Sequence, residues 1–488
     1  MNQIVSFEAT PHGACGDILT QSQTEHKRLK IGLLACGYFE YWRMFSPAFK
    51  KQVLGDIKVV AAGFRRHFDL VFPGVVDTLD AADQAGRVFA DNALDLLVVM
   101  EGTYVPDFIS LHAIDYVPQV PVVMLSSQTA EDISPDDNYE MLMRNSALIG
   151  TTQLSGSFKK MGRAYDIVVG AIGAPDIYRD ILSIAQTWQV AARLRRLNIG
   201  MIGHVFRGMY DLENDKTKIK GVLGPNVIYV ELAHLVKLWK QVTEKETRLE
   251  ADRFAARFQT RAIKQRDLYK SVRVGLAMER LQEKLRLDAL CFLGQHYIEK
   301  EMDAPARIGS CMMLDKGRHL VACEGDLAGL AMMHAMHWLT GNSPLQAEWG
   351  QYDASHNAVF IVGHGVAAPA LAADEKSVTL TPSPEEWGFK GGGVNMEFIM
   401  KPGPVTMSHL LDTPQGWQML ISGGQALEYP CLPCHEIHAL VQVEKPVREY
   451  LVEIQRQGVP HHVIVVHGDI RRELQRLATI LGIRSFEV

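Results

Sequence analysis

Five short apolar runs, KIGLLA, IKVVAAGF, DLLVVM, VPVVML and YDIVVGAI, recur between residues 29 and 175, with stretches long enough for helices between them. Near-continuous Val, Ile and Leu with no polar alternation reads as strand buried on both faces. Such strands belong to a parallel sheet whose crossover helices pack above and below it. Residues 1–190 are therefore expected to form a flavodoxin-like parallel α/β domain. The pattern restarts near residue 195 with LNIGMIG, NVIYVEL, a long charged helical segment TEKETRLEADRFAARFQTRAIKQRDLY, and LDALCFLG. Mixed charges at helical spacing are the mark of a solvated helix face. A second α/β domain over 191–340 follows.

After about residue 341 the character changes. AVFIVGHG, SVTLTP, NMEFIMKPGPVTM and WQMLISGG are separated by Gly- and Pro-rich turns such as GFKGGGV, which reads as an antiparallel sheet or barrel. The last piece, HHVIVVHGDIRRELQRLATILGI, reads as a strand followed by an amphipathic helix. The expected architecture is α/β overall: two flavodoxin-like parallel-sheet domains followed by a β-rich, barrel-like domain over 341–488.

At 488 residues and 47% hydrophobic composition the chain can bury more than one core. Its formal net charge of −6, evenly mixed, gives no nucleic-acid footprint and no membrane-attracting face. The start, MNQIVSFEATPHGACGD, has no basic, apolar leader, and nowhere do about 18 uncharged apolar residues follow one another. The seven cysteines, Cys15, Cys36, Cys291, Cys311, Cys323, Cys431 and Cys434, are odd in number and scattered, unlike a disulfide framework. A cytoplasmic protein is expected, with no nucleic-acid or membrane partner.

Several motifs resolve to ordinary readings. The turn after the first strand, Ala35-Cys36-Gly37-Tyr38-Phe39-Glu40, has neither G-x-G-x-x-G nor a Walker lysine, so no nucleotide site is expected there. Cys431-Leu-Pro-Cys434-His435 matches a haem-attachment pattern and half a zinc site, but no second C-x-x-C completes it; a tight proline turn with two reduced thiols is the reading. His334 and His337, in the apolar stretch AMMHAMHW, read as core or interface residues.

The informative residues lie in the last third. Glu324-Gly325-Asp326 sits between an apolar strand and an apolar helix, at the strand's carboxyl end where α/β domains place ligands. Downstream come Glu348, His364 at a strand end, and His461-His462. Two carboxylates with one or two imidazoles make a mixed O/N set suited to Mn²⁺, Co²⁺ or Mg²⁺, with positions left for two substrate oxygens.

In ordered pieces from about residue 30 to the C-terminus, the chain resembles the L-arabinose isomerase family. Glu324-Gly325-Asp326-Leu327 is similar to that family's E-G-D-W, preceded by Ser310-Cys311-Met312-Met313-Leu314 where the family has an apolar segment. Leu345-Gln346-Ala347-Glu348-Trp349 is similar to F-M-E-D-Y, Val362-Gly363-His364 to G-A-H, and Gly458-Val459-Pro460-His461-His462 to G-G-A-H-H. Arg207-Gly208-Met209-Tyr210 to Gly221-Val222-Leu223-Gly224 resembles the segment that begins N-M-R and ends near F-G. The resemblance implies Glu324, Glu348, His364 and His462 as ligands of a catalytic divalent ion, Mn²⁺ first, with Co²⁺ or Mg²⁺ as alternatives. It also implies three domains and a homo-oligomer, tetramer or hexamer, with the active site at a subunit interface.

The implied reaction is aldose–ketose isomerisation of a free sugar. Moving a proton between C1 and C2 requires a polarised carbonyl, so a cis-enediol route is expected, with Glu324 and Glu348 as base and acid. Glu40, Tyr41, Tyr104, Gln128, Phe206 and Asp326 are the expected substrate-contacting positions. The pocket departs from the family: its T-G-S-Q-x-L-Y turn is here Ala35-Cys36-Gly37-Tyr38-Phe39-Glu40-Tyr41, its H-T-Q is Ser126-Ser127-Gln128, and its H-G-D is Ile149-Gly150-Thr151. A site that hydrogen-bonds each hydroxyl discriminates between stereoisomers, so the expected substrate is a sugar other than L-arabinose. The alternatives are a non-catalytic sugar-binding or regulatory protein and a metal-dependent sugar epimerase or aldolase.

Overall fold

A computed structural model describes residues 28–317, 319–385 and 390–488. The N-terminal segment read above as lacking a leader, Cys15, and Gly388 and Phe389 of the GFKGGGV turn lie outside the described residues. The chain divides into two compact units, 1–185 and 186–488.

The first unit is built on a six-stranded parallel sheet. Its order is Asp69–Val71, Lys30–Cys36, Leu96–Glu101, Val122–Gln128, Asp166–Ala171, with Val75–Val76 pairing beside the carboxyl half of Lys30–Cys36. Apart from that short piece this is the flavodoxin-like strand order. IKVVAAGF, expected as a strand, lies in the helix Pro47–His67. The reason is its spacing: Ile57, Val60, Ala61 and Phe64 fall at i, i+3, i+4 and i+7 and are buried, while Val59 is half exposed. Ser46 caps that helix by accepting from the Phe49 amide, and Pro47 opens it.

The second unit contains a four-stranded parallel sheet in the order Leu320–Ala322, Ala289–Phe292, Asn198–Ile202, Asn226–Val230. The long charged segment is two helices, Glu244–Ala255 and Gln265–Leu285, rather than one. Phe258 turns inward against Phe254, and Gln259–Thr260 pairs with Thr379–Pro382, which breaks the helix between them. A capping box of Thr243 and Glu246 starts the first helix.

Most of the remaining strands form a predominantly antiparallel ten-stranded sheet. Six of them close on themselves: Gly416–Ala426, Gly403–Thr413, His462–His467, Leu345–Asp353, Ala358–Gly363 and Ile437–Gln442, the last returning to the first through Gln425↔Gln442 and Ala426↔Val441. Closure removes free edges from this ring. The largely apolar helix Leu327–Thr340 packs on strands His462–His467 and Gly403–Thr413. The same helix follows the parallel strand Leu320–Ala322, so it carries the carboxyl edge of one sheet to the wall of the other.

Candidate metal centre

At that junction the backbone makes a turn of two successive left-handed residues, Glu324 at φ 64° and Gly325 at φ 82°. Glycine tolerates this conformation; glutamate adopts it at a cost. Three hydrogen bonds hold the turn: Phe206 N–H donates to the Glu324 carbonyl at 2.9 Å, Gly325 N–H to the Phe292 carbonyl at 3.0 Å, and Cys323 N–H to Gln346 Oε1 at 2.9 Å. A Cβ on Gly325 would lie 2.4 Å from the Val205 Cα, so only glycine lets the 205–206 segment seat there. Asp326 then caps the helix, its Oδ1 accepting from the Gly329 amide at 2.7 Å.

The barrel supplies the other groups. Glu348 and His462 are direct cross-strand partners, which places their side chains together on one face. Trp349 fixes the residues before His462: its amide donates to the His461 carbonyl at 3.3 Å and its indole N–H to the Pro460 carbonyl at 3.1 Å. The result is a cluster in which ligand atoms of Glu324, Glu348, His461 and His462 all lie within 4.8 Å of one another. His462 Nε2 is 3.2 Å from Glu324 Oε2, and His461 Nε2 is 3.9 Å from both Glu324 Oε2 and Glu348 Oε1. His364, next to the strand end at Gly363, has its Nε2 2.7 Å from Glu348 Oε1 and 3.9 Å from Glu324 Oε2.

Burial works against charge on these groups, and their partners overcome it. Glu324 is held well below the ordinary carboxylate range because His461, His462 and His364 outweigh its desolvation. Glu348 is likewise lowered, chiefly by His364. Burial alone would push the His462 imidazolium down; Asp326 and Glu324 raise it to about 10. His364 and His461 are raised by the same carboxylates.

The donor set fits a divalent cation. Donors about 2.1 Å from a common centre lie at most about 4.2 Å apart, close to the span of this cluster. His461 Nε2 is buried with no hydrogen-bond partner among the described residues, an orphaned donor atom facing two carboxylates. The carboxylate charge is balanced by imidazolium protons, which a dication would displace.

Phe206, tied to Glu324 through its amide, stands edge-on to His296 at 5.1 Å between ring centroids. Asp326 is fully buried and turned towards His462. In the first unit the remaining candidates gather at the carboxyl edge of the parallel sheet. Glu40 and Tyr41 lie in the helix Phe39–Met44 after the first strand, Tyr104 follows Leu96–Glu101, and Gln128 ends its strand. Tyr38 contacts both Tyr41 and Tyr104, at 5.4 and 6.5 Å between centroids.

Cys431 and Cys434 are both free thiols in a loop, outside the metal-ligand cluster. His334 is a core residue, buried with neither ring nitrogen hydrogen-bonded among the described residues. Sequence reasoning passed over Asp211 and His409. Asp211 Oδ2 takes both the His461 amide, at 3.0 Å, and its Nδ1, at 2.6 Å. His409 lies in a strand with no spacing signal, and its contact with Asp326 spans 83 positions.

Fold and cluster together define an α/β and barrel protein with a carboxylate–histidine cluster that could hold a cation. No family model matches the chain. The chain is similar to curated proteins named sulfoquinovose isomerase. That of Alkalicoccus urumqiensis is 22% identical over 343 residues, covering 70% of this chain and 76% of the relative. Those of Priestia aryabhattai and Priestia megaterium are each 21% identical over 397 residues, covering 81% of this chain and 85% of the relative. No described helix is long and apolar enough to cross a membrane.

Proposed function

We propose that this chain is a divalent-metal-dependent aldose–ketose isomerase, acting through an enediol on an anionic sugar of the sulfoquinovose type. The observation that carries the reading is the cluster of Glu324, Glu348, His461 and His462, with His364 on Glu348. It is supported by similarity to proteins named for isomerising a sugar.

Glu324, Glu348 and His462 would hold the ion, Mn²⁺ first, with His364 or His461 as the further imidazole. When bound, the ion polarises the carbonyl at C1 or C2. Glu324 and Glu348, held ionised by the imidazoles, can take the proton from one carbon and return it to the other. Asp211 keeps the His461 Nδ1–H engaged, which leaves Nε2 free on the carboxylate side. Phe206 and His296 offer an aromatic wall for the apolar face of the sugar. Tyr41, Tyr104, Gln128 and Glu40 are read as further substrate contacts, contributed within a cytoplasmic homo-oligomer.

A sulfonated hexose needs a cation. Arg207 follows Phe206, is exposed, and makes no ion pair among the described residues. We read it as the partner of the anionic group.

The test is incubation of the Mn²⁺-loaded protein with sulfoquinovose, glucose and L-arabinose in D₂O. Ketose product with deuterium at C1 or C2 is expected from sulfoquinovose, with loss after chelation and recovery on adding Mn²⁺. Glu324→Gln should fold normally and lose at least about 10³-fold in turnover. Arg207→Met should lower kcat/KM for the sulfonated sugar more than for glucose. Full activity in Glu324→Gln would overturn the assignment; exchange without ketose would point to an epimerase or aldolase.

A further inference from the structure

Behind His462 lies a buried hydrogen-bonded chain. Asp326 is 0% exposed and His409 1% exposed. Asp326 Oδ2 accepts from His462 Nδ1 at 2.9 Å, from His409 Nε2 at 3.1 Å and from Gln346 Nε2 at 3.3 Å. Its Oδ1 is occupied by the Gly329 amide. Both oxygens of the carboxylate are thereby engaged inside the protein. His409 Nδ1 faces the carbonyl of Leu410 at 2.7 Å, so both its ring nitrogens face acceptors. Gln346 closes the arrangement by accepting from the Cys323 amide with its Oε1, tying it to the Glu324 turn.

A buried carboxylate and imidazole at this place are costly compared with apolar residues of the same volume. The interaction they secure is directional. With Asp326 held as an acceptor, His462 Nδ1 keeps its proton, so the proton that a bound cation would displace is the one on Nε2, which faces Glu324 at 3.2 Å.

We propose that His409 is a positioning residue for the cation centre, fixing Asp326 and through it the tautomer and ring orientation of His462. This rests on the reading that Glu324 and His462 bind a divalent ion. His409 touches neither, so its effect is transmitted through Asp326 alone. Leucine at 409 leaves Asp326 with one donor fewer; glutamine keeps an N–H that can reach it.

The experiment titrates Mn²⁺ into wild type, His409→Leu and His409→Gln, reading free Mn²⁺ by electron paramagnetic resonance, with circular dichroism and melting as checks on folding. His409→Leu should bind Mn²⁺ 10- to 100-fold more weakly, the range of loss typical of outer-shell partners, and His409→Gln should recover part of that. With diamagnetic Mg²⁺ loaded in place of Mn²⁺, a ¹⁵N correlation spectrum of the imidazoles should show His462 as the Nδ1–H tautomer in wild type and a tautomer mixture in His409→Leu. If His409→Leu does not fold, the intermediate affinity and spectrum of His409→Gln decide. Unchanged Mn²⁺ affinity and tautomer in a folded variant overturn this inference and leave the metal reading intact. Failure of the wild type itself to bind Mn²⁺ overturns both.

Discussion

Glu101 and Asp326 are both fully buried carboxyl groups at the carboxyl edge of a parallel sheet, one in each unit of the chain. Among the described residues neither oxygen of Glu101 has a hydrogen-bond partner, whereas Asp326 has four donors. Desolvation, with Asp107 nearby, pushes Glu101 well above the ordinary carboxyl range. Desolvation acts on Asp326 as well, but His409 and His462 hold it well below that range. Equal burial thus gives a neutral acid in one place and a fixed anion in the other, and the partners decide which. Of the two, only the second has imidazole partners.

The contrast breaks most readily at Asp326. Asp326→Asn removes the anion from between two imidazoles and should cost about 3 kcal/mol in urea unfolding, because the remaining buried groups lose their counter-charge. Glu101→Gln is nearly isosteric with a neutral acid and should change stability by less than about 1 kcal/mol at pH 4.5, where wild type still has most of the stability of its protonated form. Comparable losses in the two variants would contradict the assignment of charge.

A narrower probe is Gly150, in the helix Ala147–Lys160, where a Cβ would come 1.5 Å from Glu101 Oε2. Gly→Ala in a helix ordinarily stabilises. Here Gly150→Ala should destabilise by about 1–3 kcal/mol through overpacking, and Glu101→Ala should suppress that loss. Additive effects in the double variant would show that the carboxyl can move aside.

The smallest effect is on pH dependence. The folded pKa of Glu101 lies above its ordinary value of 4.5, so the stability of its protonated form is full below pH 4.5 and is lost as pH rises towards the folded value. Asp326 runs the other way, its contribution present above about pH 3.8 and lost as pH falls. Melting temperatures of Glu101→Gln should therefore gain on wild type between pH 4.5 and 8. A constant gap over that range would mean that Glu101 titrates normally.

Much of this was legible in the sequence. Apolar runs marked the strands of both parallel sheets, and Gly- and Pro-rich spacing marked the barrel. The failure at IKVVAAGF is instructive: a run of Val and Ala satisfies a buried strand and one face of a helix alike, and only the buried i, i+3, i+4, i+7 set resolves it. Glu324, Glu348 and His462, whose side chains the fold brings together, each stood in an ordered motif match. Asp211 and His409 were not legible, since long-range contacts through a closed barrel leave no local spacing to read. Asp326 was legible as a residue that matters, but its depth was not.

Glu324 holds its place at φ 64°, a conformation costing roughly 1–2 kcal/mol for a side chain of its kind. Selection for heat resistance alone would replace it with glycine or asparagine, gaining stability and losing the carboxylate. The turn is therefore a point where robustness and chemistry compete, and a thermostabilised descendant of this chain would have to find its gains elsewhere.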